Sequence, residues 1–262
     1  MLAPRASRLI PRQVTRLGLL VLGLPVLGCQ HRAGAAAGAA AGTAAGAVTS
    51  AGATVAGASS ARPGPWKSLV QGSSLAGWHN FATPGQPVLG WEANNGIVTR
   101  TGEGGDLTTD AQYTNFELSL DWRAPAKGNS GVIYRIDPAA NLSYESGPEM
   151  QILDDAGHPD GKSPLTSAGA DYAIYPAPRG VVRPATEWNS ARLIVNGRHV
   201  EHWLNGVVMV EYTLGSTDWV ERVARSKFAT AKGYGIAPRG FIALQDHGGR
   251  VAFRNIRIRE LP

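Results

Sequence analysis

A single cysteine, Cys29, stands among 262 residues. No intrachain disulfide can form, so an extracytoplasmic domain of this chain must hold by its core alone. Helix signals are almost absent. No stretch sustains apolar residues at i, i+3, i+4 and i+7 over three turns. The chain also lacks a Gly-x-Ser-x-Gly elbow, a P-loop, a dinucleotide fingerprint after a strand and a His-Glu-x-x-His zinc motif. Positive charge is scarcer than the total suggests. The formal net charge is +5, but Arg5, Arg8, Arg12 and Arg16 lie in the first 28 residues with no acid beside them. Without these four the balance is about +1, which gives no footprint for nucleic acid.

What the first residues do carry is an address. The four arginines form a basic n-region, and the apolar run Leu17 to Leu27 is too short to span a bilayer. It ends in Val26-Leu27-Gly28-Cys29, which resembles a bacterial lipobox with Cys29 as the lipidated first residue. Residues 1–28 are therefore expected to be a lipoprotein signal peptide, and the lipid on Cys29 a membrane anchor rather than a span. Gln30 in place of an aspartate resembles outer-membrane sorting in a cell with two membranes. Residues 29–65 are Ala, Gly, Thr and Ser with little to bury, a composition expected to stay a disordered tether.

Residues 66–262 read as one all-β domain. Gly, Pro, Asn and Asp punctuate short runs of Val, Ile, Leu, Trp and Tyr. Phe116, Leu118, Leu120 and Trp122 alternate with Glu117, Ser119 and Asp121. Val132, Tyr134 and Ile136 oppose Ile133 and Arg135. Trp91 to Arg100 reads as a strand around Asn95-Gly96. Asn196-Gly197 and Asn205-Gly206 punctuate a three-stranded meander. Asp218 to Lys227 suits a short helix, and Asn255 breaks the alternation of the last strand as a bulge would. Residues 156–187 form one long loop, a length expected to cover something. The whole fits a jelly-roll β-sandwich with a groove on its concave sheet.

The polar residues of that groove are sought on alternating positions. Glu149-Met150-Gln151-Ile152 turns Met150 and Ile152 to a core and Glu149 and Gln151 the other way. Arg135, His202, Gln245 and His247 lie on other strands and can converge with them. Each alone is more often a solvated strand position, and Gln245-Asp246-His247 before Gly-Gly also suits turn chemistry. Tyr134, Tyr144, Tyr175 and Trp203 offer stacking faces for a sugar. Asp154 and Asp155 supply oxygen donors for a divalent cation, although their spacing does not match an EF-hand, and Asx turns explain them as well.

The motifs Trp66-x-Ser68-Leu69, Asn129-Ser130-Gly131-Val132-x-Tyr134-Arg135, Glu149-Met150-Gln151-Ile152-Leu153-Asp154, Glu187-Trp188-Asn189, His202-Trp203-Leu204-Asn205-Gly206 and Leu244-Gln245-x-His247-Gly248 occur in order across residues 66–262. Together they resemble the 3-keto-disaccharide hydrolase family, with its concanavalin A-like sandwich. The resemblance implies an exported enzyme acting on glycosides already oxidised at C3. A ketone there acidifies the C2 proton, so a base can remove it and the aglycone can leave by elimination, followed by addition of water. On this reading Glu149, His247 and, second in line, His202 are the catalytic candidates. Arg135, Gln151, Gln245, Tyr134 and Tyr175 are the substrate-binding candidates. A divalent cation is a competing source of enolate stabilisation. A lectin-like module without turnover and an ordinary two-carboxylate glycosidase stay open as alternatives.

Overall fold

The computed structural model describes residues 62–262. The signal-like segment, Cys29 and most of the tether lie outside the described residues. In chain order the strands are β1 Lys67–Ser68, β2 Trp78–Asn80, β3 Trp91–Asn94, β4 Ile97–Arg100, β5 Leu107–Thr109, β6 Phe116–Arg123 and β7 Asn129–Ile136. After a single helical turn, α1 Ser143–Ser146, come β8 Glu149–Leu153, β9 Asn189–Asn196, β10 His199–Leu204 and β11 Val207–Thr213. Helix α2 Thr217–Arg225 precedes β12 Phe241–Leu244 and β13 Ala252–Glu260.

Two antiparallel sheets result, as expected for a jelly-roll sandwich. The larger runs β11-β10-β9-β6-β13-β4-β3, with β1 also paired to β13; the smaller runs β2-β5-β12-β7-β8. Period-two alternation decides what lies between them. Phe116, Leu118, Leu120 and Trp122 from the large sheet join Val132, Tyr134, Met150, Ile152, Ile242 and Leu244 from the small one in a single core. The opposite face of the small sheet carries Gly131, Ile133, Glu149, Gln151, Ala243 and Gln245, since each follows or precedes a core residue by one position.

Turn chemistry follows the Asn-Gly pairs, with two corrections. Asn205 and Gly206 both have positive φ, so β10 and β11 close through a type I′ turn. At the first hairpin, Asn196 pairs with His199, which makes Gly197 and Arg198 the central pair; only Gly197 has positive φ, as in a type II′ turn. Asn95 and Gly96 have positive φ and split the expected single strand over 91–100 into the hairpin β3–β4. The expected helix begins at Thr217, where Ser216 caps it by accepting from the Trp219 amide. The expected bulge in β13 lies between Arg254 and Arg257, with Asn255 at positive φ.

The long segment 156–187 contains one 3₁₀ turn, Pro159–Lys162, and no strand. It covers the free edge of β8 rather than a groove. Gln151 N–H donates to Ala170, Gly169 N–H donates to Gln151, and Tyr172 N–H donates to Glu149. Backbone groups that an edge strand would leave unpaired are thus satisfied.

Between the sheets lies a buried polar chain. His202 Nδ1 meets the Gly169 carbonyl at 3.2 Å, and a carbonyl only accepts, so this nitrogen carries the proton. Nε2 then accepts from the Tyr134 hydroxyl at 2.9 Å, and Tyr134 in turn bonds the Tyr212 hydroxyl. Burial, only partly offset by backbone bonds from Gly169 and Ala170, lowers the His202 pKa to about 4. His202 is fully buried and neutral between the sheets, whereas Glu149 is on the outward face of the small sheet. This corrects its expected catalytic role. Tyr134 is buried in the same chain, so no sugar can stack on it.

Asp171 ends the chain. It is fully buried, and neither carboxyl oxygen has a hydrogen bond of good geometry. Burial raises its pKa from 3.8 to about 8, with partial offset from the Tyr212 hydroxyl. Between about pH 4 and pH 8 the folded protein therefore keeps a proton that the unfolded chain releases, and stability falls as pH rises. Asp171→Asn removes this term. Its melting temperature should exceed wild type by more at about pH 8 than at about pH 5; a gap independent of pH would show that Asp171 is ionised in the fold.

Candidate active site

The outward face of the small sheet forms the floor of a cavity of about 420 Å³. Glu149 of β8, Gln245 just after β12 and His247 beyond it meet there, three of the sequence candidates in one place. Asp106 and Lys227, which the sequence reading did not select, complete the polar lining. Asn141 to Tyr144 form one wall together with Phe81.

Glu149 owes its position to the residue opposite. Ile133 pairs with Glu149 and Gly131 with Gln151, and Gly131 leaves the space into which the Glu149 side chain leans. A Cβ at position 131 would fall 2.1 Å from Glu149 Oε1. Glu149 is only 4% exposed. Burial raises its pKa from 4.5 to about 8; the Lys227 ammonium and the Gln245 amide pull it down, while Asp106 and Asp171 push it up. Such a group holds or yields its proton near neutral pH.

Lys227 follows α2. Burial lowers its pKa, and Glu149 and Asp160 act in the opposite sense. Its Nζ lies 4.1 Å from the centre of the Tyr172 ring. Tyr172 in turn donates to Asp160 at 3.3 Å. A cation held over an aromatic face and beside a buried carboxyl is oriented into the cavity.

Asp106 is committed on both oxygens. Oδ1 accepts the Asp246 amide at 2.8 Å, and Oδ2 accepts the Ser143 hydroxyl. Burial raises its pKa, and these two bonds lower it. Asp246 is paired with Arg100 and accepts the amides of Gly105 at 3.2 Å and Gly248 at 3.0 Å. The turn reading of Gln245-Asp246-His247 thus applies to Asp246, and the site reading to its two neighbours.

The remaining candidates go elsewhere. Arg135 is the extra residue of a bulge in β7, at positive φ between Tyr134 and Ile136, which pair with Ile242 and Phe241. The bulge takes it off the alternation, and its guanidinium donates to the carbonyls of Ala237 and Gly197. Gln151 shares the Glu149 face but is buried under segment 163–170, where Nε2 donates to Thr166 at 3.2 Å. Tyr175 bonds Asp218 at 2.7 Å, stacks on Tyr212 at 4.8 Å and is overlaid by the Arg222 guanidinium at 4.5 Å. Trp203 bonds Glu201 and is capped by Arg192 at 4.2 Å. Of the four aromatic candidates only Tyr144 lines the cavity.

As for a cation, Asp154 accepts the Lys127 amide and Asp155 the Ala168 amide, both at 2.8 Å. Each carboxylate thus closes a loop. Among the described residues no three His, Cys, Asp or Glu side chains come together as a metal site.

The family model described as the 3-keto-alpha-glucoside-1,2-lyase-like domain matches residues 65–259. The chain belongs to this family. A relative from Bacteroides thetaiotaomicron called a 3-keto-disaccharide hydrolase is 30% identical over 225 residues, 74% of this chain and 77% of that one. A solved structure of a candidate glycosyl hydrolase from Parabacteroides distasonis shares 34% identity with a TM-score of 0.69, over 75% of this chain and 94% of the other. A second from the same organism shares 27% with a TM-score of 0.60, over 75% and 100%. Membership agrees with the resemblance read from the motifs, two of which, Asn129-Ser130-Gly131 and Glu149-Met150-Gln151, form the facing strands under the cavity.

The gap at Gly131 generates a test. In Gly131→Ala the new methyl meets the Glu149 side chain rather than backbone, so the fold should survive while the carboxyl moves. Activity on the enzyme's substrate should fall by about 10²-fold or more, since a misplacement of about 1 Å costs that much. The melting temperature should change little, and equal losses in both would indicate a purely structural glycine.

Proposed function

We propose that this chain is a sugar hydrolase that cleaves the glycosidic bond of 3-keto-glycosides by elimination and rehydration. The observation that carries the reading is a buried carboxyl that lines the cavity, Glu149, with its pKa raised to about 8 beside a cation. An ordinary glycosidase needs two carboxyl groups free to face the sugar. Here Asp106 has both oxygens bonded within the protein. Family membership and the name of the B. thetaiotaomicron relative support the same class of substrate.

In the first half, ionised Glu149 removes the C2 proton and the ketone oxygen takes up the electron pair as an enolate. The Gln245 amide and His247 face that oxygen, and the nearby Lys227 cation stabilises its charge. The enolate then re-forms the ketone, the C1–C2 double bond appears, and the C1–O bond breaks. Lys227 gives the departing oxygen its proton. In the second half, water adds at C1 with His247 as its base, Glu149 returns the proton to C2, and the proton gained by His247 passes through solvent to the neutral Lys227. The net change is hydrolysis, with every group restored.

Export is part of the proposal and rests on the sequence of residues 1–30. We place the domain on a bacterial membrane through lipid on Cys29. Cys29→Ser should lose incorporation of labelled fatty acid and move the protein from the membrane to the soluble fraction. Continued membrane retention would refute the anchor.

Glu149→Gln should cost about 10²–10⁴-fold in kcat on a 3-keto-glucoside while the fold stays intact. For wild type, kcat/KM should rise with pH through about 8, as Glu149 ionises. It should fall again below the ordinary lysine value of 10.5, as Lys227 loses its proton. Unchanged turnover in the variant would end the role of Glu149, and saccharide binding without any turnover would point to a lectin-like module. Loss of activity with a chelator, restored by a divalent ion, would move enolate stabilisation from Lys227 to a metal.

A further inference from the structure

The outward face of the large sheet carries a cavity of its own. Val98, Trp122 and Phe253 point into the core, so their neighbours Thr99, Arg123 and Ala252 point outward. These three stand in a row across β4, β13 and β6, because Ala252 pairs with Thr99 on one side and with Arg123 on the other. A methyl group between two longer side chains leaves a depression. Ala124, Pro125, Thr186 and Arg250 complete its walls, and its volume is about 250 Å³. None of these residues lines the cavity that holds Glu149. We infer that this depression is a binding site for the phosphate group of a small molecule, separate from the cavity of Glu149.

Charge points to an anion. Arg123 and Arg250 both line the cavity, and no carboxylate does. Neither arginine forms an ion pair among the described residues, because the acids nearby are taken. Asp121 accepts from Arg254 at 3.0 Å and from Asn255 at 2.7 Å, and Asp246 is paired with Arg100. Glu92, opposite Thr99 on β3, and Glu187, next to Thr186 in the chain, stay outside the lining. Arg123 is oriented without giving up its charge. Its Cζ lies 4.8 Å from the centre of the Trp188 ring, which Arg254 also overlays at 4.2 Å. A ring face attracts the cation and leaves its N–H donors for another partner. Thr186 has a φ of 72°, a costly conformation for a β-branched residue, and its N–H donates to the Ala124 carbonyl at 2.8 Å. This turn sets the Thr186 side chain on the cavity wall with the arginines. Two guanidinium forks and two threonine hydroxyls bring donors from several sides. Paired cations with no acid suit the tetrahedral dianion of a phosphate better than a planar, singly charged carboxylate. The volume lies below the roughly 300–1,000 Å³ of sites for drug-sized ligands, so the molecule is small.

The test is a calorimetric titration of the full chain with inorganic phosphate at constant ionic strength, with acetate as the singly charged control. One phosphate should bind per chain, more tightly than acetate. Arg123→Gln and Arg250→Gln should each weaken phosphate binding by about tenfold or more. Lys227→Ala changes the cation of the other cavity and should leave phosphate affinity within about twofold. Arg250 is exposed, so its replacement keeps the fold intact even where that of Arg123, stacked on Trp188, does not. Phosphate binding no tighter than acetate, or unchanged in Arg250→Gln, would overturn the site. Loss of binding in Lys227→Ala would overturn it too, because the anion would then lie beside Glu149.

Discussion

The constraint on which this site depends is the burial of one carboxyl group. Glu149 lies in the floor of a cavity, almost fully removed from water, and ionising it there is costly. Everything around it adjusts that cost. Gly131 makes room, Lys227 and Gln245 favour the charged form, and Asp106 and Asp171 disfavour it. Burial outweighs the rest and raises the pKa from 4.5 to about 8, a little above neutral pH. A carboxyl exposed on the same strand would remain an anion and a weak base.

The sandwich supports this balance by dividing its polar residues between two faces. One step along β7 or β8 reverses the direction of a side chain, so Glu149 faces the cavity and Met150 the core. The hydroxyls of Tyr134 and Tyr212, with His202, form a closed chain of hydrogen bonds inside the core. Asp171, at the end of that chain, lies beside the edge of β8 and, once ionised, bears on Glu149 through its charge. The internal chain and the cavity are therefore coupled, although they share no side chain. The long segment 156–187 matters in the same way, because by pairing with β8 it fixes the strand that carries Glu149.

Lys227 and Asp106 show why part of the site was not legible in the sequence. Lys227 follows a short surface helix and Asp106 precedes a three-residue strand, both ordinary places for solvated charge. Only the packing of distant segments brings them beside β8. Arg135 and His202 show the reverse. Each sits in a motif at an alternating position, yet a bulge removes the first from the pattern, and the second lies on a strand of the other sheet and points into the core. Alternation tells which residues share a face of one strand. It does not tell which face of which sheet that is.

The sequence by itself determined the all-β sandwich, the meander through its Asn-Gly turns, the bulge at Asn255 and the family. It also placed Glu149, Gln245 and His247 among the candidates, because local turn chemistry and period-two patterning are short-range properties. The tertiary structure alone decided that those three meet in one cavity, that Lys227 and Asp106 join them, and that His202, Tyr134 and Arg135 do not. It also decided the state of the carboxyl. A pKa depends on desolvation and on charges brought near through space, and neither is written in the neighbours along the chain.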